Sequence, residues 1–401
     1  MEQNHVERSY ASENVKQNKI RGALIGGAIG DALGYPVEFM MLGTIVCKYG
    51  EQGITAYELD RTSGKALVSD DTQMTLFTAN GLLFGQTRNC MCGVDVAPHE
   101  YVAMAYQDWL TTQWDDYRTG TQTKRHDCGR GVSWLLDVPA LYCLRVPGNT
   151  CLSALSGARR SGDAGDCIEN PRNNSKGCGG IMRAAPLGIY NVAVPIERLD
   201  KEGAYLSAIT HGHPLGYMPS AVVTHILNRL VFPHEKQMTL LEVIDEAKET
   251  TKRLFDGTDH VDDLCAVIDK AVQLAANHDT DRNNIKRLGG GWVAEETLAI
   301  ALYCALRHEH DFSAGVIAAV NHDGDSDSTG AVTGNILGAI NGYDAIEAKW
   351  KTDLELMDVL LEMSDDLYRG CLMSEHEVRS DPDWARKYID AHWKERESAN
   401  A

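Results

Sequence analysis

The sequence predicts a compact all-α domain, and three observations support this fold class. Apolar residues recur at helical spacing in segment after segment, whereas the alternation typical of strands never extends beyond a few residues. No segment of about 20–50 residues repeats, and no Ser/Gly/Pro-rich linker divides the chain. A chain of 401 residues with 43% hydrophobic residues has enough apolar material for a large core. We therefore expect one helical domain rather than two.

The predicted helices follow one another along the whole chain, because apolar residues recur every three or four positions in each of them. They are expected near residues 20–34, 70–85, 98–114, 150–158, 198–210, 217–231, 239–255, 260–277, 294–307, 313–321, 329–341, 353–368 and 383–395. Polar stretches at 115–130, 160–180, 256–260 and 278–292 are predicted as loops. Loops of this length in compact domains often carry function.

The predicted helices 20–34 and 329–341 are unusually rich in glycine and alanine. Glycine inside a helix costs about 1 kcal/mol relative to alanine, so a close approach to another helix or to a ligand should compensate. Tight packing without any chemistry explains the glycines equally well. Asp31 lies within the first of these helices, where a buried, unpaired carboxylate would be costly. It is therefore expected to have a metal ion or a hydrogen-bond partner.

The charge balance excludes two classes of partner. The chain carries 38 Lys and Arg against 57 Asp and Glu, a formal charge of −19, whereas nucleic acids and anionic membranes require a basic face. No apolar run reaches the ~18 residues of a membrane span, and residues 1–18 lack the apolar core of a signal peptide. Eleven scattered cysteines without a C-x-x-C pair argue against disulfides and a thiolate zinc site. A reducing, cytoplasmic location is expected.

Two acidic blocks, Ser69-Asp70-Asp71-Thr72 and Asp323 to Thr329, each precede a predicted helix. Helix capping explains one acid per helix, but not three aspartates in five residues, whose mutual repulsion must be offset. Mg²⁺ and Mn²⁺ prefer carboxylate and hydroxyl oxygens and would offset it. A calcium-binding EF-hand is less consistent, because the twelfth position from Asp323 is Gly334 rather than glutamate.

Further candidates are less specific on their own. Glu38 follows Pro36 in a predicted loop, where a lone glutamate is usually solvated surface. The loops Gly177–Arg183 and Gly289–Trp292 match neither the dinucleotide fingerprint nor a P-loop, so they are either simple turns or anion sites formed by backbone N–H groups. His211 and His213 end a predicted helix as caps or ligand contacts. Trp292 is a core residue or a stacking platform.

Taken in order, six blocks of the chain resemble the ADP-ribosylglycohydrolase family, and the likeness spans about residues 19–370. The blocks are Arg21 through Gly30-Asp31-Ala32-Leu33-Gly34 to Phe39, Ser69–Thr72, Gly177–Arg183, Ile209–Gly212, Gly289–Glu296 and Gly324–Ser328. The resemblance implies an orthogonal multi-helix bundle with a central binuclear metal cleft that holds two Mg²⁺ or Mn²⁺ ions per chain. Residues 1–18 then form a polar extension, and residues 371–401 a helical tail packed on or near the domain.

The resemblance also assigns roles to individual positions. It implies metal ligands in both acidic blocks, namely Ser69, Asp70, Asp71, Asp325, Asp327 and Ser328, with Asp327 bridging the two ions. The implied catalytic residues are Glu38, Asp71 and Asp327. The implied ADP-ribose contacts are Gly177, Cys178, Gly179, Gly180, Met182, His211, Gly291 and Trp292. Ser69 and Ser328 replace the threonine of many members and keep its hydroxyl, whereas Cys178 replaces an asparagine and puts one hydrogen bond in doubt.

The expected function is therefore a metal-dependent hydrolase that cleaves the N-glycosidic bond between ADP-ribose and a modified arginine, reversing mono-ADP-ribosylation. The metals are expected to hold the ribose hydroxyls and to lower the pKa of a bound water, while Asp71 or Glu38 takes its proton. Alternatives are a hydrolase of O-linked ADP-ribose, on serine or in the O-acetyl form, and a non-catalytic immunity or regulatory protein. Expected partners are ADP-ribosylated proteins and ADP-ribose, with an ADP-ribosyltransferase as a further candidate.

Overall fold

The computed structural model describes residues 2–114, 131–161, 168–190, 192–232, 238–371 and 380–390. Within these ranges it contains seventeen α-helices and no strands. The helices are α1 (Glu2–Gly34), α2 (Leu42–Tyr49), α3 (Asp70–Cys92), α4 (Pro98–Thr112), α5 (Asn149–Ser161), α6 (Ala185–Ile189), α7 (Ile196–Ala208), α8 (Pro214–Val231), α9 (Leu240–Leu254), α10 (Val261–Ala275), α11 (Asp281–Leu288), α12 (Ala294–Arg307), α13 (Phe312–Val320), α14 (Ser326–Asn341), α15 (Ala348–Lys351), α16 (Met357–Arg369) and α17 (Pro382–Tyr388).

The predicted all-α, single-domain fold is confirmed, and buried side chains from nearly every helix join one hydrophobic core. Among the long helices, differences from the prediction lie mainly at the ends. The short helices α2, α6, α11 and α15 were not predicted, because eight residues or fewer show little helical periodicity. Of the predicted loops, 115–130 lies outside the described residues, and 278–292 contains α11. The described part of the last predicted helix ends at Tyr388.

Helix α1 crosses the predicted boundary at residue 18 without a break. The side chain of Gln17 donates to Asp365 Oδ1 at 3.0 Å, so the helix already contacts α16 there. At the other end of the chain, α17 buries Trp384 against the domain. No single described helix is both long and apolar enough to cross a membrane; only α1 and α2, bent by 94°, meet that criterion together.

The glycines of α1 and α14 form an antiparallel seam in which the two backbones touch. The facing pairs are Gly22 with Gly338, Gly26 with Gly334, and Gly30 with Gly330, and Gly34 faces the backbone of Ser326. A Cβ atom on any of these glycines would run into a backbone carbonyl group of the facing helix. The close approach that these glycines predict is therefore made to another helix and not to a ligand. It places the start of α14 beside the end of α1, where the chain leads into Glu38.

Gly30→Ala is expected to destabilise the fold by roughly 3 kcal/mol or more, because the seam has no room for a methyl group. Gly43→Ala is the matched control, since Gly43 is exposed in α2 and a Cβ there meets no atom within 4 Å. The control should be neutral or stabilising by up to about 1 kcal/mol. Urea denaturation of both variants provides the comparison. Equal stabilities for the two proteins would show that the seam is not tight.

Candidate metal centre and ligand cavity

The two acidic blocks meet at the N-termini of α3 and α14. Ser69 caps α3, with its Oγ accepting from the Asp71 N–H at 3.1 Å. Asp325 caps α14 in the same way, with its Oδ1 accepting from the Ser328 N–H at 3.2 Å. Ser328 Oγ then donates to Asp71 Oδ2 at 2.9 Å and joins the two blocks directly. Capping therefore accounts for Ser69 and Asp325, while Asp70, Asp71 and Asp327 lie in the first helical turns beyond the caps.

Glu38 completes the cluster from a third direction. A single turn of 3₁₀ helix, Tyr35–Val37, follows the end of α1 and delivers Glu38 to the start of α14. One carboxylate oxygen each of Glu38, Asp325 and Asp327 lies within 4.8 Å of the other two. Glu38 is only 8% exposed. The interpretation of Glu38 as solvated surface is therefore wrong.

Burial and mutual repulsion dominate the electrostatics of this cluster. Burial, together with the nearby charges of Asp325 and Asp70, raises the pKa of Glu38 to about 9. Burial and neighbouring carboxylates likewise hold the pKa values of Asp71 and Asp327 well above their usual range. Five carboxylates line one cavity, and no Lys or Arg is found among its described lining residues. An all-oxygen donor set with uncompensated negative charge fits a hard divalent cation.

Addition of Mg²⁺ or Mn²⁺ to the metal-free protein is expected to raise its melting temperature and to release protons. The reason is that Glu38, with a pKa of about 9, holds a proton at neutral pH that a bound cation would displace. Cation affinity should therefore increase as pH rises from about 6 to 9, because proton competition declines. Calorimetric titrations in two buffers of different ionisation enthalpy measure the protons released. Identical heats in both buffers would contradict the expectation.

Asp31 of α1 is hydrogen-bonded to the first acidic block at the start of α3. It is fully buried and accepts hydrogen bonds from the backbone N–H of Ser69 at 3.0 Å and of Thr72 at 3.1 Å, and from the Thr72 hydroxyl. Burial raises the pKa of Asp31 to about 6, although these donors act in the opposite direction. Of the two partners expected for Asp31, the structure shows hydrogen-bond donors. They fix the start of α3 relative to α1.

A cavity of about 300 Å³ opens beside the cluster. On its other side lie the glycine loop, the start of α5 and His211. Six of the predicted ADP-ribose contacts line it, namely Gly177, Cys178, Gly179, Met182, His211 and Trp292. Gly180 packs instead against Ser207, and Gly291 donates its N–H to Glu296 at 3.1 Å. The latter two glycines therefore shape loops next to the cavity.

The segment from Val146 to Cys151 also lines the cavity and was not predicted to do so. The sequence does indicate a helix start here, because Pro147, Gly148 and Asn149 directly precede the helix predicted at 150–158. Helix α5 begins at Asn149 and brings its N-terminus to the cavity wall. Backbone N–H groups at such an end favour an anion.

Arg183 and His211 hold the glycine loop. Buried Arg183 donates to the carbonyl oxygen of Gly179 at 2.5 Å and to Thr210 Oγ1 at 2.6 Å. His211 Nδ1 lies 2.8 Å from Thr210 Oγ1, and burial, with the charge of Arg183, lowers the pKa of His211 to about 3. The imidazole is therefore neutral in the physiological range. It suits a hydrogen bond to a ligand rather than an ion pair.

Cys178 connects the glycine loop to the acidic cluster. Its thiol donates to Asp325 Oδ2 at 2.8 Å, so the substituted position does make a side-chain hydrogen bond, and it makes it to an acid of the cluster. Its backbone N–H donates to the carbonyl oxygen of Trp292 at 3.3 Å. Cys178 thus joins the acidic end of the cavity to the segment that carries Trp292.

Comparison with known proteins identifies relatives of this architecture. A family model described as ADP-ribosylglycohydrolase matches residues 12–377. ADP-ribosyl-dinitrogen reductase glycohydrolase of Rhodospirillum rubrum is 25% identical over 84% of this chain and 90% of its own length. ADP-ribosylhydrolase ARH3 of Danio rerio is 25% identical over 90% and 92%, and ADP-ribosylarginine hydrolase Tri1 of Serratia proteamaculans 22% over 89% and 80%.

A solved structure, described as an ADP-ribosylglycohydrolase-related protein complex, superposes on the chain with a TM-score of 0.59. It is 24% identical and is matched over 90% of this chain and 99% of its own. At this identity the superposition supports the fold. The superposition extends over nearly the whole length of both proteins, and the family match likewise covers most of this chain.

Proposed function

Because the chain belongs to the ADP-ribosylglycohydrolase family, we propose that it hydrolyses the N-glycosidic bond between ADP-ribose and a modified arginine side chain of a protein. The observation that carries the proposal is the convergence of Glu38, Asp325 and Asp327 within 4.8 Å at the end of a ligand-sized cavity. Glycoside cleavage commonly requires two carboxyl groups beside the anomeric carbon, and this cluster supplies them.

The ions that we propose here are two Mg²⁺ or Mn²⁺ per chain. They would be held by the oxygens of both acidic blocks, namely Ser69, Asp70, Asp71, Asp325, Asp327 and Ser328. When bound, they would supply positive charge that binds and polarises oxygen atoms of the ribose. The donor set supports this proposal because it offers carboxylate and hydroxyl oxygens only.

Glu38 is the carboxyl group best placed for proton transfer. It lies outside both helix caps, lines the cavity and forms a side-chain hydrogen bond with Asp327, whereas Asp71 lies in the first turn of α3 and accepts a hydrogen bond from Ser328. A guanidine is a basic leaving group, so its departure is eased when its nitrogen gains a proton. In this scheme the water oxygen forms a bond to the anomeric carbon while the bond from that carbon to the guanidine nitrogen breaks. Glu38 accepts the proton of the attacking water and passes it to the leaving nitrogen.

The diphosphate of ADP-ribose would be bound by backbone N–H groups rather than by cationic side chains. The N–H groups of Gly177 and Cys178 already donate to Ser175 Oγ and to the carbonyl oxygen of Trp292. The backbone donors proposed for the diphosphate are therefore the N–H of Gly179 and those at the N-terminus of α5, and neutral His211 adds a further polar contact. This arrangement accommodates an anion in a chain of net charge −19. We also propose a cytoplasmic location, with which the free thiols of all nine described cysteines are compatible.

Mass spectrometry of model proteins ADP-ribosylated on Arg, Ser or Thr, with and without Mg²⁺ or Mn²⁺, tests the proposal. Release from arginine that depends on the metal is the expected result. The name of the Serratia relative supports arginine, and the acidic cavity favours a cationic acceptor. Release from serine alone would assign the O-linked alternative. Binding of ADP-ribose without release from any substrate would assign a regulatory or immunity protein.

A further inference from the structure

Two exposed aromatic rings stack at the mouth of the cavity. The centroids of Phe39 and Trp292 are 5.7 Å apart, and their planes meet at 27°. Phe39 is 66% exposed and Trp292 45% exposed, although both are large apolar side chains. Both also line the cavity. A pair that served only the core would be buried, so these rings are available to a ligand.

The backbone ties each ring to the acidic end of the cavity. Phe39 follows Glu38 directly in the chain. The carbonyl group of Trp292 accepts from the N–H of Cys178, whose thiol donates to Asp325. The scissile bond has to lie beside these carboxyl groups. The acceptor side chain belongs to a protein too large to enter a cavity of about 300 Å³, so it has to leave the cavity at the mouth, where the exposed rings lie.

The charge around the rings favours a cationic acceptor. Five acidic side chains line the cavity, and no Lys or Arg is found among its described lining residues. Asp323 adds an exposed carboxylate nearby, because its Oδ1 accepts from the N–H of Leu42, three residues after Phe39. A planar guanidino group stacks on aromatic faces and is attracted by this charge, whereas the side chain of serine does neither.

We propose that Phe39 and Trp292 bind the guanidino group of the modified arginine and thereby select arginine over serine as the acceptor. This inference rests on the proposed function and assigns its acceptor specificity to two named residues. It also moves Trp292 from a contact of ADP-ribose, as the resemblance implied, to a contact of the leaving group.

Phe39→Ala and Trp292→Ala are each expected to lower kcat/KM for ADP-ribosyl-arginine by roughly tenfold, because a cation–π contact is worth about 0.5–2 kcal/mol. The affinity for free ADP-ribose should change less than about twofold, and kcat/KM for ADP-ribosyl-serine should not fall. Trp292→Phe keeps a ring and should retain most of the arginine activity. Leu241→Ala, which removes an equally exposed apolar side chain on α9, is the surface control.

Two results would overturn the inference. One is a loss of ADP-ribose affinity equal to the loss of arginine activity, which would place the nucleotide on the rings. The other is an unchanged ratio of arginine to serine activity in both alanine variants.

A binding assay separates failure of this inference from failure of the proposed function. Competition between ADP-ribosyl-arginine and ADP-ribose is measured in proteins that carry Glu38→Gln, so that turnover does not interfere. Weaker binding of ADP-ribosyl-arginine alone after loss of a ring supports the inference, even if the wild-type protein proves inactive. Equal affinities with and without the rings reject it, even if the wild-type protein cleaves arginine substrates.

Discussion

Asp71→Asn and Asp327→Asn are each expected to reduce hydrolysis of ADP-ribosyl-arginine at least ~10³-fold, a loss of about 4 kcal/mol of transition-state stabilisation. Each substitution removes one of the charges that we propose to hold the divalent ions. Asp71 lies at the N-terminus of α3 and Asp327 at that of α14, and the hydrogen bond from Ser328 to Asp71 joins the two. Metal content measured by atomic emission should fall together with activity. Asp256→Asn, an exposed change outside both acidic blocks and outside the cavity, should retain both.

Stability measurements distinguish a lost ligand from a damaged fold. Burial, together with repulsion from Asp71 and Asp325, raises the pKa of Asp327 in the metal-free protein. A neutral asparagine relieves that repulsion, so metal-free Asp327→Asn should be at least as stable as metal-free wild type. It should, however, gain less stability when Mg²⁺ is added. Full activity and wild-type metal content in both asparagine variants would refute the two-block metal centre.

Glu38→Gln is expected to lower kcat by roughly 10²–10⁴-fold, the usual contribution of a general acid or base. The amide keeps the size of the side chain but neither gives nor takes a proton at neutral pH. Because the aspartates of both blocks remain, metal content and ADP-ribose affinity should stay within a few-fold of wild type. Glu51→Gln, in the exposed turn after α2, is the matched control. A raised KM with an unchanged kcat would instead assign Glu38 to substrate binding.

The acidic blocks were predictable from the sequence because their pattern is local. Ser69 and Asp325 cap the helices that follow them, and the excess of acid beyond each cap is by itself an indication of a metal. Glu38 carries no such local signal. Its role depends on the seam between α1 and α14, which brings residues some three hundred positions apart into contact. Residue pattern alone does not specify that contact, and only the family resemblance singles Glu38 out.

The remaining misses have local causes in two cases and a long-range cause in the third. Helix α11 was predicted as loop because Asp281–Leu288 contains only two apolar residues and is stabilised by its cap, with Thr280 Oγ1 accepting from Asn283. The cavity wall at Val146–Cys151 combines an irregular segment, in which Val146 has a φ of 58°, with a helix start, and neither is periodic. The stacked rings of Phe39 and Trp292 could not be foreseen, because their loops are far apart in sequence and the rings meet only in the fold.

The seam also governs when the site comes into existence during synthesis of the chain. Asp31 and Glu38 are synthesised within the first forty residues. The seam that holds α1 in place, however, requires α14, which ends at residue 341. Synthesis must therefore reach α14 before the two acidic blocks and Glu38 can meet. Until then the glycine face of α1 lacks α14, its partner in the seam. Contacts between residues so far apart in sequence form slowly. A chain that stops short of α14 lacks the second acidic block, so we expect it to take up no divalent cation at this site.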